Sequence, residues 1–248
     1  MTMPDRRTSV AGFVAAYRRL RLAEGFASAD PNFARQLPFR DITGRNAATW
    51  RRRAVHYALM RACLRLVRPT ARVLDLGAGN GWLARRLADA HQVTALDVDA
   101  TDTGLGGLDD ARVGRVRADL EALPLLGGGY DVVIAAAALH HAVDLLAALT
   151  EIARVLRPGG LFILADSPFY ASAIDRHRAW QRTLRYYTEA GTPELAARYR
   201  GLTRNELEGS GLFRFLTISP GIQSWRGLLR RQGGARLPML IGRKTSSP

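Results

Sequence analysis

This sequence has little cysteine, little lysine and no long apolar run. Cys63 is the only cysteine among 248 residues, so an internal disulfide is excluded, which favours a reducing compartment such as the cytoplasm. No apolar stretch approaches the roughly 20 residues that span a bilayer, and the short apolar run at residues 10–16 lacks the form of a signal peptide. Clusters with metal-ligand spacing are also missing. We therefore expect a cytoplasmic protein with no metal site and no membrane span.

The charge of the chain is strongly positive, and it is carried almost entirely by arginine. Lysine and arginine total 36 against 22 acidic residues, a formal net charge of +14, and Lys244 is the only lysine. Such a balance suggests an anionic partner such as nucleic acid. Compositional bias explains it equally well, because the arginines are dispersed and lack the aromatic interleaving of an RNA platform. Nucleic-acid binding stays open but is not favoured.

A glycine-rich stretch at residues 73–88 organises the rest of the chain. Residues 73–76 are aliphatic apart from Asp75 and predict a short buried strand. Gly77, Gly79 and Gly81 then alternate with Ala78 and Asn80, and residues 82–88 have helical spacing of apolar side chains. A strand, a glycine loop and a helix in this order let backbone N–H groups face a ligand with no Cβ in between.

The spacing of these glycines differs from the dinucleotide-binding fingerprint. That fingerprint has its third glycine at the sixth position, where it permits close helix–strand packing. Here the third glycine, Gly81, comes one residue early, and Trp82 occupies the sixth position. A pyrophosphate-binding turn is therefore disfavoured, although a bare strand-to-helix turn or a nicotinamide-binding Rossmann protein remain alternatives.

Two stretches resemble the class I S-adenosylmethionine-dependent methyltransferases. The string V-L-D-L-G-A-G-N-G at residues 73–81 resembles motif I of that family, and R-V-L-R-P-G-G-L-F-I-L at residues 154–164 resembles its post-motif string. The resemblance covers about residues 70–166. It implies an α/β fold with a doubly wound, Rossmann-like, mostly parallel sheet and S-adenosyl-L-methionine as cofactor. The alternation of strands and helices independently indicates a doubly wound sheet.

Asp97 is the residue best placed to bind a ribose. It ends the predicted strand at residues 92–97, about twenty residues beyond Gly77, where an acid accepts hydrogen bonds from ribose hydroxyls. Asp99 competes for this role. Residues 100–110 depart from the family because glycine, aspartate and threonine replace the usual helix, so we expect a loop or broken helix there.

The resemblance implies further cofactor contacts. An acid after the third strand, Asp119, would accept a hydrogen bond from the adenine amino group, with Leu120 beside the ring; a turn-capping aspartate is the alternative. The full set of implied cofactor-binding residues is Asp75, Gly77, Ala78, Gly79, Asn80, Gly81, Asp97, Val98, Asp119, Leu120, Ala135 and Ala136.

His140 and His141 follow the predicted fourth strand at residues 130–135. Ligands of doubly wound sheets bind outside the carboxyl ends of the strands, so these histidines would lie near the methyl donor. Either could act as a general base toward a hydroxyl nucleophile, while a histidine that only satisfies loop backbone is the alternative. Both are our catalytic candidates.

The flanks are expected to cover the sheet. Residues 1–70 predict a helical lid that shapes the substrate pocket, with helices at 10–21 and 47–67, and residues 71–248 predict the Rossmann-like domain with a helical insertion around 168–200. The basic side of the first helix is expected to face solvent. Strands at 212–219 and 237–243 would form a final antiparallel pair around an insertion at 223–234. The substrate-binding candidates are Arg40, Trp50, Arg53 and Tyr170.

Together these features predict a methyltransferase. The expected reaction is in-line methyl transfer from S-adenosylmethionine to an O, N or C nucleophile of a small-molecule or lipid-like acceptor. The Asn/Asp-Pro-Pro-aromatic tetrad of enzymes that methylate exocyclic base amines is missing after the fourth strand. An RNA methyltransferase, favoured only by charge, and a non-catalytic or nicotinamide-binding Rossmann protein are the alternatives.

Overall fold

The computed structural model describes residues 10–219 and 235–245. Seven strands form one sheet in the order β3-β2-β1-β4-β5-β7-β6. Their bounds are β1 Arg72–Leu76, β2 Gln92–Asp97, β3 Val113–Arg117, β4 Tyr130–Ala136, β5 Leu156–Ala165, β6 Phe213–Ser219 and β7 Met239–Lys244. Strands β1 to β5 run parallel to one another, whereas β7 is antiparallel to both β5 and β6. The predicted fold class is confirmed, including the final antiparallel pair.

Seven α-helices accompany the sheet within the described residues. They are α1 Val10–Glu24, α2 Phe33–Gln36, α3 Ala47–Val67, α4 Trp82–Leu87, α5 Leu145–Val155, α6 Ala173–Glu189 and α7 Arg204–Gly209. Short 3₁₀ turns occupy Leu105–Gly107, Leu139–His141 and Pro193–Arg198. The glycine-rich stretch after β2 therefore forms turns in place of a helix, as expected. None of the helices in the described ranges is long and apolar enough to cross a lipid bilayer.

The sheet is buried on both faces because its central strands are apolar on both. One face carries Val73, Val93 and Ile134 against α3 and α4, and the opposite face carries Leu74, Leu96 and Val133 against α5. On each face, burial of apolar surface stabilises the fold by about 25 cal/mol for every Å² removed from water. Since both faces are closed, the exposed carboxyl ends of the strands are where this sheet offers a ligand site.

A third apolar cluster joins the amino-terminal helix to the segment after β5. Phe13 and Leu20 of α1 pack with Tyr187 of α6 and with Leu195 in the following 3₁₀ turn. The predicted helix at 10–21 and the predicted helical insertion around 168–200 thus meet each other over the carboxyl ends of the strands. The role of these helices as a lid and the domain boundary at residue 70 remain predictions.

The start of β5 differs from the expectation. The sequence predicts a turn at residues 157–160 and a strand from 161, whereas β5 begins at Leu156 directly after α5. Tyr130 pairs with Leu156 before a register shift, and Gly159 has a φ of +70°. The strand thus accommodates the Pro-Gly-Gly stretch as an irregularity. The predicted insertion at 223–234 lies outside the described residues.

Candidate functional site

The glycine loop between β1 and α4 presents one open position. Gly77, Gly79 and Gly81 all have positive φ, at +73°, +54° and +71°. A Cβ at Gly77 would lie 2.3 Å from the Cβ of Ala138, and one at Gly81 would lie 2.7 Å from Leu108, but one at Gly79 would meet no atom within 4 Å. Gly77 and Gly81 are thus required by packing, whereas Gly79 faces empty space.

Asp97 is tied directly to this open position. One carboxylate oxygen of Asp97 accepts from the backbone N–H of Gly79 at 2.8 Å, and the other accepts from the N–H of Asp99 at 2.8 Å. Burial raises the pKa of Asp97 to about 6. The predicted ribose acceptor therefore lies at the carboxyl end of β2 beside the glycine loop, with its ionised form held by two backbone donors.

Asp75 lies behind the loop. It is 2% exposed, its Oδ2 has no hydrogen-bond partner, and burial raises its pKa to about 7. The N–H of Ala84 in α4 donates to its carboxyl group. Asp75 therefore couples β1 to α4 from inside the protein and is not among the residues that face the cavities described next.

Two adjoining chambers open at the carboxyl ends of β1, β2 and β4. The first chamber has a volume of about 140 Å³ and the second about 90 Å³. They share five lining residues, namely Tyr17, Gly77, Gly79, Asp99 and Ala137. Ala137 has a φ of +58°, and its N–H donates to Ala165. A non-glycine residue held in this region is a sign of local strain, which clusters at functional sites.

Three arginines line the first chamber: Arg18 and Arg21 from α1 and Arg53 from α3. The expectation that the basic side of α1 faces solvent is therefore wrong for Arg18 and Arg21. The Nε of Arg18 donates to Thr103 at 3.1 Å, and Arg21 pairs with Glu24 at 2.6 Å. Packing turns these side chains inward, so three guanidiniums lie beside the glycine loop, of which Arg18 is paired with Asp102 and Arg21 with Glu24.

Arg53 differs from the other two because no described carboxylate is paired with it. Its guanidinium lies 4.6 Å from the ring centroid of Trp50, and its Nε is buried without a hydrogen-bond partner. Burial lowers its pKa. Trp50, another predicted substrate residue, is 2% exposed and lines the same chamber, with its Nε1 also unpartnered. This corner of the chamber therefore offers donors without acceptors, which suits a carboxylate.

A cluster at the end of β5 anchors the turn of α3 that contains Arg52 and His56. Arg52 Nε donates to Asp166 at 3.0 Å, and His56 Nδ1 lies 3.3 Å from the same carboxylate. Burial opposes ionisation of Asp166, but His56, Arg53 and Arg52 outweigh it and hold its pKa below the ordinary value. No motif in the sequence marks this cluster, which anchors the turn of α3 that carries the neighbouring Arg53.

The second chamber is mostly apolar. Val98 and Leu120, both predicted cofactor contacts, line it together with Phe13 and His141. Asp119 does not line it, because its Oδ2 accepts from Arg198 at 2.9 Å. The guanidinium of Arg198 also lies over the ring of Phe13, 5.4 Å from its centroid. The predicted acceptor for an adenine amino group is therefore engaged by an arginine of the 3₁₀ turn that follows α6.

The two candidate histidines have different surroundings. The Nδ1–H of His141 donates to the carbonyl of Arg198 at 3.1 Å, which leaves Nε2 as an acceptor with no partner. His140 Nδ1 lies 3.3 Å from the hydroxyl of Ser167. Burial lowers the pKa of His141 to about 4 and that of His140 well below the ordinary value. Both rings are therefore neutral at physiological pH, and His141 is the one that lines a chamber.

The remaining predicted residues fall into three groups. Ala78, Asn80 and Ala136 line the first chamber. Ala135 is fully buried inside the sheet. Arg40 is exposed, and Tyr170 is buried under Gly201, where a Cβ would lie 2.2 Å from its ring; neither lines the two chambers in the described part of the chain. Tyr17 lines both chambers without any signal in the sequence, and its ring forms an edge contact with His141 at a centroid distance of 5.3 Å.

Within residues 10–219 and 235–245, no group of three or more His, Cys, Asp or Glu side chains is arranged to hold a metal ion. The donors that are present fit an organic cofactor instead. Arg53 could donate to a carboxylate, and Asp97 could accept hydrogen bonds from a ribose. Val98 and Leu120 could pack against an apolar ring, and the open Gly79 lines both chambers. Such a sequence of subsites matches an amino acid joined to a nucleoside.

Comparison with known proteins agrees with this geometry. Residues 74–164 match the family described as "Methyltransferase domain". The chain is 37% identical over 113 residues to malonyl-[acyl-carrier protein] O-methyltransferase of Enterobacter lignolyticus, covering 45% of this chain and 44% of that protein. It is 38% identical over 103 residues to 27-O-demethylrifamycin SV methyltransferase of Amycolatopsis mediterranei, covering 38% of each. The chain thus spans about half or less of these two relatives.

Solved structures share the fold. The YcgJ protein of Bacillus subtilis has a TM-score of 0.56 at 19% identity, covering 77% of this chain and 99% of that one. Phosphoethanolamine N-methyltransferase 2 of Haemonchus contortus, in complex with S-adenosyl-L-methionine, has a TM-score of 0.54 at 16% identity, covering 75% of this chain and 52% of that one. Residues 74–164 thus match a methyltransferase domain, and the sheet that contains them shares its fold with these solved structures.

Proposed function

We propose that this protein transfers a methyl group from S-adenosylmethionine to a small-molecule or lipid-like acceptor. The observation that carries the proposal is the open face of Gly79. Its N–H is bound to Asp97, and a side chain there would project into the space shared by the two chambers. The loop is therefore open where the two chambers meet and where Asp97 is fixed, which leaves room for a ligand.

The chain's own groups account for each part of the cofactor. We assign the methionine carboxylate to Arg53, with Arg21 nearby, the ribose hydroxyls to Asp97, and the adenine ring to the wall formed by Val98 and Leu120. When bound, S-adenosylmethionine supplies a methyl group activated by a sulfonium. The protein aligns the acceptor for in-line displacement and excludes water, effects that contribute ~7–11 kcal/mol in well-oriented reactions.

A general base is available for a hydroxyl acceptor. His141 is neutral, its tautomer is fixed by the carbonyl of Arg198, and its free Nε2 can accept a proton. We therefore favour His141 over His140, whose Nδ1 contacts Ser167. For an acceptor that is already a nucleophile, such as a carboxylate, alignment alone would suffice. The two named relatives are a malonyl-[acyl-carrier protein] O-methyltransferase and a 27-O-demethylrifamycin SV methyltransferase, and their names favour a small-molecule or lipid-like acceptor here.

The helical elements outside the sheet would shape the acceptor pocket. We propose that residues 1–70 act as a lid, because α1 and α3 contribute Arg18, Arg21 and Arg53 to the first chamber. The insertion around 168–200 closes the same end through its packing on α1. The single cysteine supports a cytoplasmic location. No observation favours RNA or a nicotinamide cofactor over this interpretation.

Calorimetric titration tests the function directly. We expect S-adenosylmethionine and S-adenosylhomocysteine to bind with micromolar dissociation constants, which correspond to binding free energies of about −8 kcal/mol. We expect NAD to give no heat of binding. NAD binding would favour the nicotinamide alternative, and silence from both sulfur nucleotides with folded protein would contradict the proposal.

Replacement of Arg53 by glutamine tests the carboxylate subsite. Loss of its charge-assisted hydrogen bonds should weaken S-adenosylhomocysteine binding about 10- to 100-fold, or ~1.5–3 kcal/mol. Binding of 5′-methylthioadenosine, which lacks the amino-acid part, should not change. Arg51→Gln is the matched control, because Arg51 is an exposed residue of the same helix. Equal weakening of both nucleosides by Arg53→Gln would show that the side chain supports the loop instead.

A further inference from the structure

A third cavity, of about 290 Å³, lies outside the two chambers, between α6 and the segment that follows it. We call it the Arg176–Arg200 groove. Its principal walls are formed by Arg176, His177, Trp180, Tyr199, Arg200 and Gly201. None of these side chains has a role in the function proposed above, so the groove requires its own explanation.

The groove contains two guanidiniums gathered on one carboxylate. Arg176 and Arg200 both donate to the same oxygen of Glu206. The other oxygen accepts from the N–H and the hydroxyl of Thr203, each at 3.0 Å, so Glu206 also forms the capping box of α7. The two guanidiniums thus share one carboxylate, and both of its oxygens already accept hydrogen bonds. The Nε of Arg200 is buried and has no hydrogen-bond partner.

The groove also has a flat apolar wall. Arg178, Arg182 and Arg185 of the same helix are exposed and have no ion pair in the described structure, but they do not line the groove. Asp175, the acid nearest along α6, is engaged by the hydroxyl of Ser172 at 2.8 Å. His177 stacks on Trp180 with ring centroids 6.1 Å apart. A positively charged concavity with free N–H groups and aromatic walls is suited to an oxyanion attached to an organic group.

The groove is connected to the donor site through its inner wall. The ring of Tyr199 contacts those of both His140 and His141, at centroid distances of 5.6 and 6.4 Å. The backbone N–H of Arg200 donates to the carbonyl of His140 at 2.8 Å. Tyr199 therefore lies between the groove and the chamber that His141 lines.

We propose that the Arg176–Arg200 groove binds an oxyanion, a phosphate or carboxylate group, that belongs to the methyl acceptor. This assignment to the acceptor rests on the proposed methyltransferase function. The groove would hold the anionic end of the acceptor, and the rest of the acceptor would extend past Tyr199 toward His141. The site is separate from Arg18, Arg21 and Arg53, so the anion and the cofactor would bind together.

The test is calorimetric titration of the full chain with inorganic phosphate and, separately, with malonate, at low ionic strength. Each titration is made with and without saturating S-adenosylhomocysteine. We expect at least one of the two anions to bind in both conditions, and the stronger one identifies the type of oxyanion. Failure of both anions to bind would overturn the proposal. Binding that S-adenosylhomocysteine abolishes would also overturn it, because the anion would then occupy the chamber of Arg53.

Variants locate the anion. Arg200→Gln and Arg176→Gln should each weaken anion binding about tenfold or more, with unchanged affinity for S-adenosylhomocysteine as evidence of an intact fold. Arg178→Gln, on the exposed side of α6, is the matched control and should retain binding. Equal loss in all three would indicate general surface attraction and contradict a built site. If anions bind at the groove but sulfur nucleotides do not bind at all, the oxyanion site stands and its assignment to a methyl acceptor fails.

Discussion

Replacement of Gly79 by valine is expected to weaken S-adenosylhomocysteine binding at least ~100-fold, or ~3 kcal/mol, while the protein stays folded. The added side chain would meet no protein atom within 4 Å and would instead fill the space shared by the two chambers. Titration calorimetry measures the affinity, and circular dichroism measures the fold. The effect is large because the valine would occupy the position that the cofactor needs.

A second glycine supplies the control for backbone strain. Gly128 has a φ of +68° and an equally open Cβ position, but it lies in the turn before β4, at the opposite end of the sheet from the chambers. Valine at either position carries a similar strain of ~1–3 kcal/mol. Gly128→Val should therefore lose similar stability and keep full affinity. Retained binding in Gly79→Val, or equal loss of binding in both variants, would contradict the placement of the cofactor.

Replacement of Asp75 by asparagine is expected to stabilise the protein by about 2 kcal/mol at pH 8. Burial raises the pKa of Asp75 from its ordinary value near 3.8 to about 7, so ionisation of the folded protein has a free-energy cost of up to ~4 kcal/mol. A buried amide with one unsatisfied donor offsets ~1–3 kcal/mol of the gain. Chemical denaturation at several pH values measures the difference.

The direction of the pH dependence follows from proton binding. Between about pH 4 and pH 7 the folded state holds a proton on Asp75 that the unfolded state has lost. The free energy of unfolding contributed by this group therefore falls as pH rises through that window and is constant above it. The advantage of Asp75→Asn over the natural protein should grow from pH 4 to pH 7 and then level off. A constant difference at every pH would show that the carboxyl group is not the cause.

Asp131 is a second buried aspartate, and its pKa is shifted in the opposite direction from that of Asp75. It is also 2% exposed, but it accepts from the N–H of Arg72 at 2.8 Å and from Arg157 at 2.6 Å. Burial opposes its ionisation, yet these donors prevail and lower its pKa. Its contribution to stability is present above the unfolded pKa and is lost as pH falls through the folded value. Asp131→Asn should therefore destabilise the protein at neutral pH, where Asp75→Asn stabilises it.

Local patterns were sufficient to predict the sheet and the glycine loop. The bounds of α3 and β2 agree with the predicted residues, because each has a long periodic or apolar pattern with clear ends. Asp97 was found from its distance along the chain to Gly77, and its contact with the glycine loop agrees with that placement. The irregular start of β5 was not predicted, because Pro-Gly-Gly is typical of a turn and only pairing with β4 makes it part of a strand.

Long-range contacts decided the charges of the site. Arg18 and Arg19 are neighbours with the same side chain, yet only Arg18 lines a chamber, since the packing of α1 on the 3₁₀ turn of residues 193–198 sets which side faces inward. Asp119 looked free in the sequence, but Arg198, 79 positions away, is paired with it. Neither spacing nor composition carries information about such partners.

The sequence by itself determined the order of the strands and helices, the position of the glycine loop and the acid that follows β2. These features depend on side-chain periodicity and on backbone conformations that only glycine adopts readily. The tertiary structure alone decided which arginines face the chambers, which histidine keeps a free nitrogen there and where the Arg176–Arg200 groove lies. Those properties arise when segments distant in sequence pack together, because burial and pairing then change the charge and hydrogen bonding of each group.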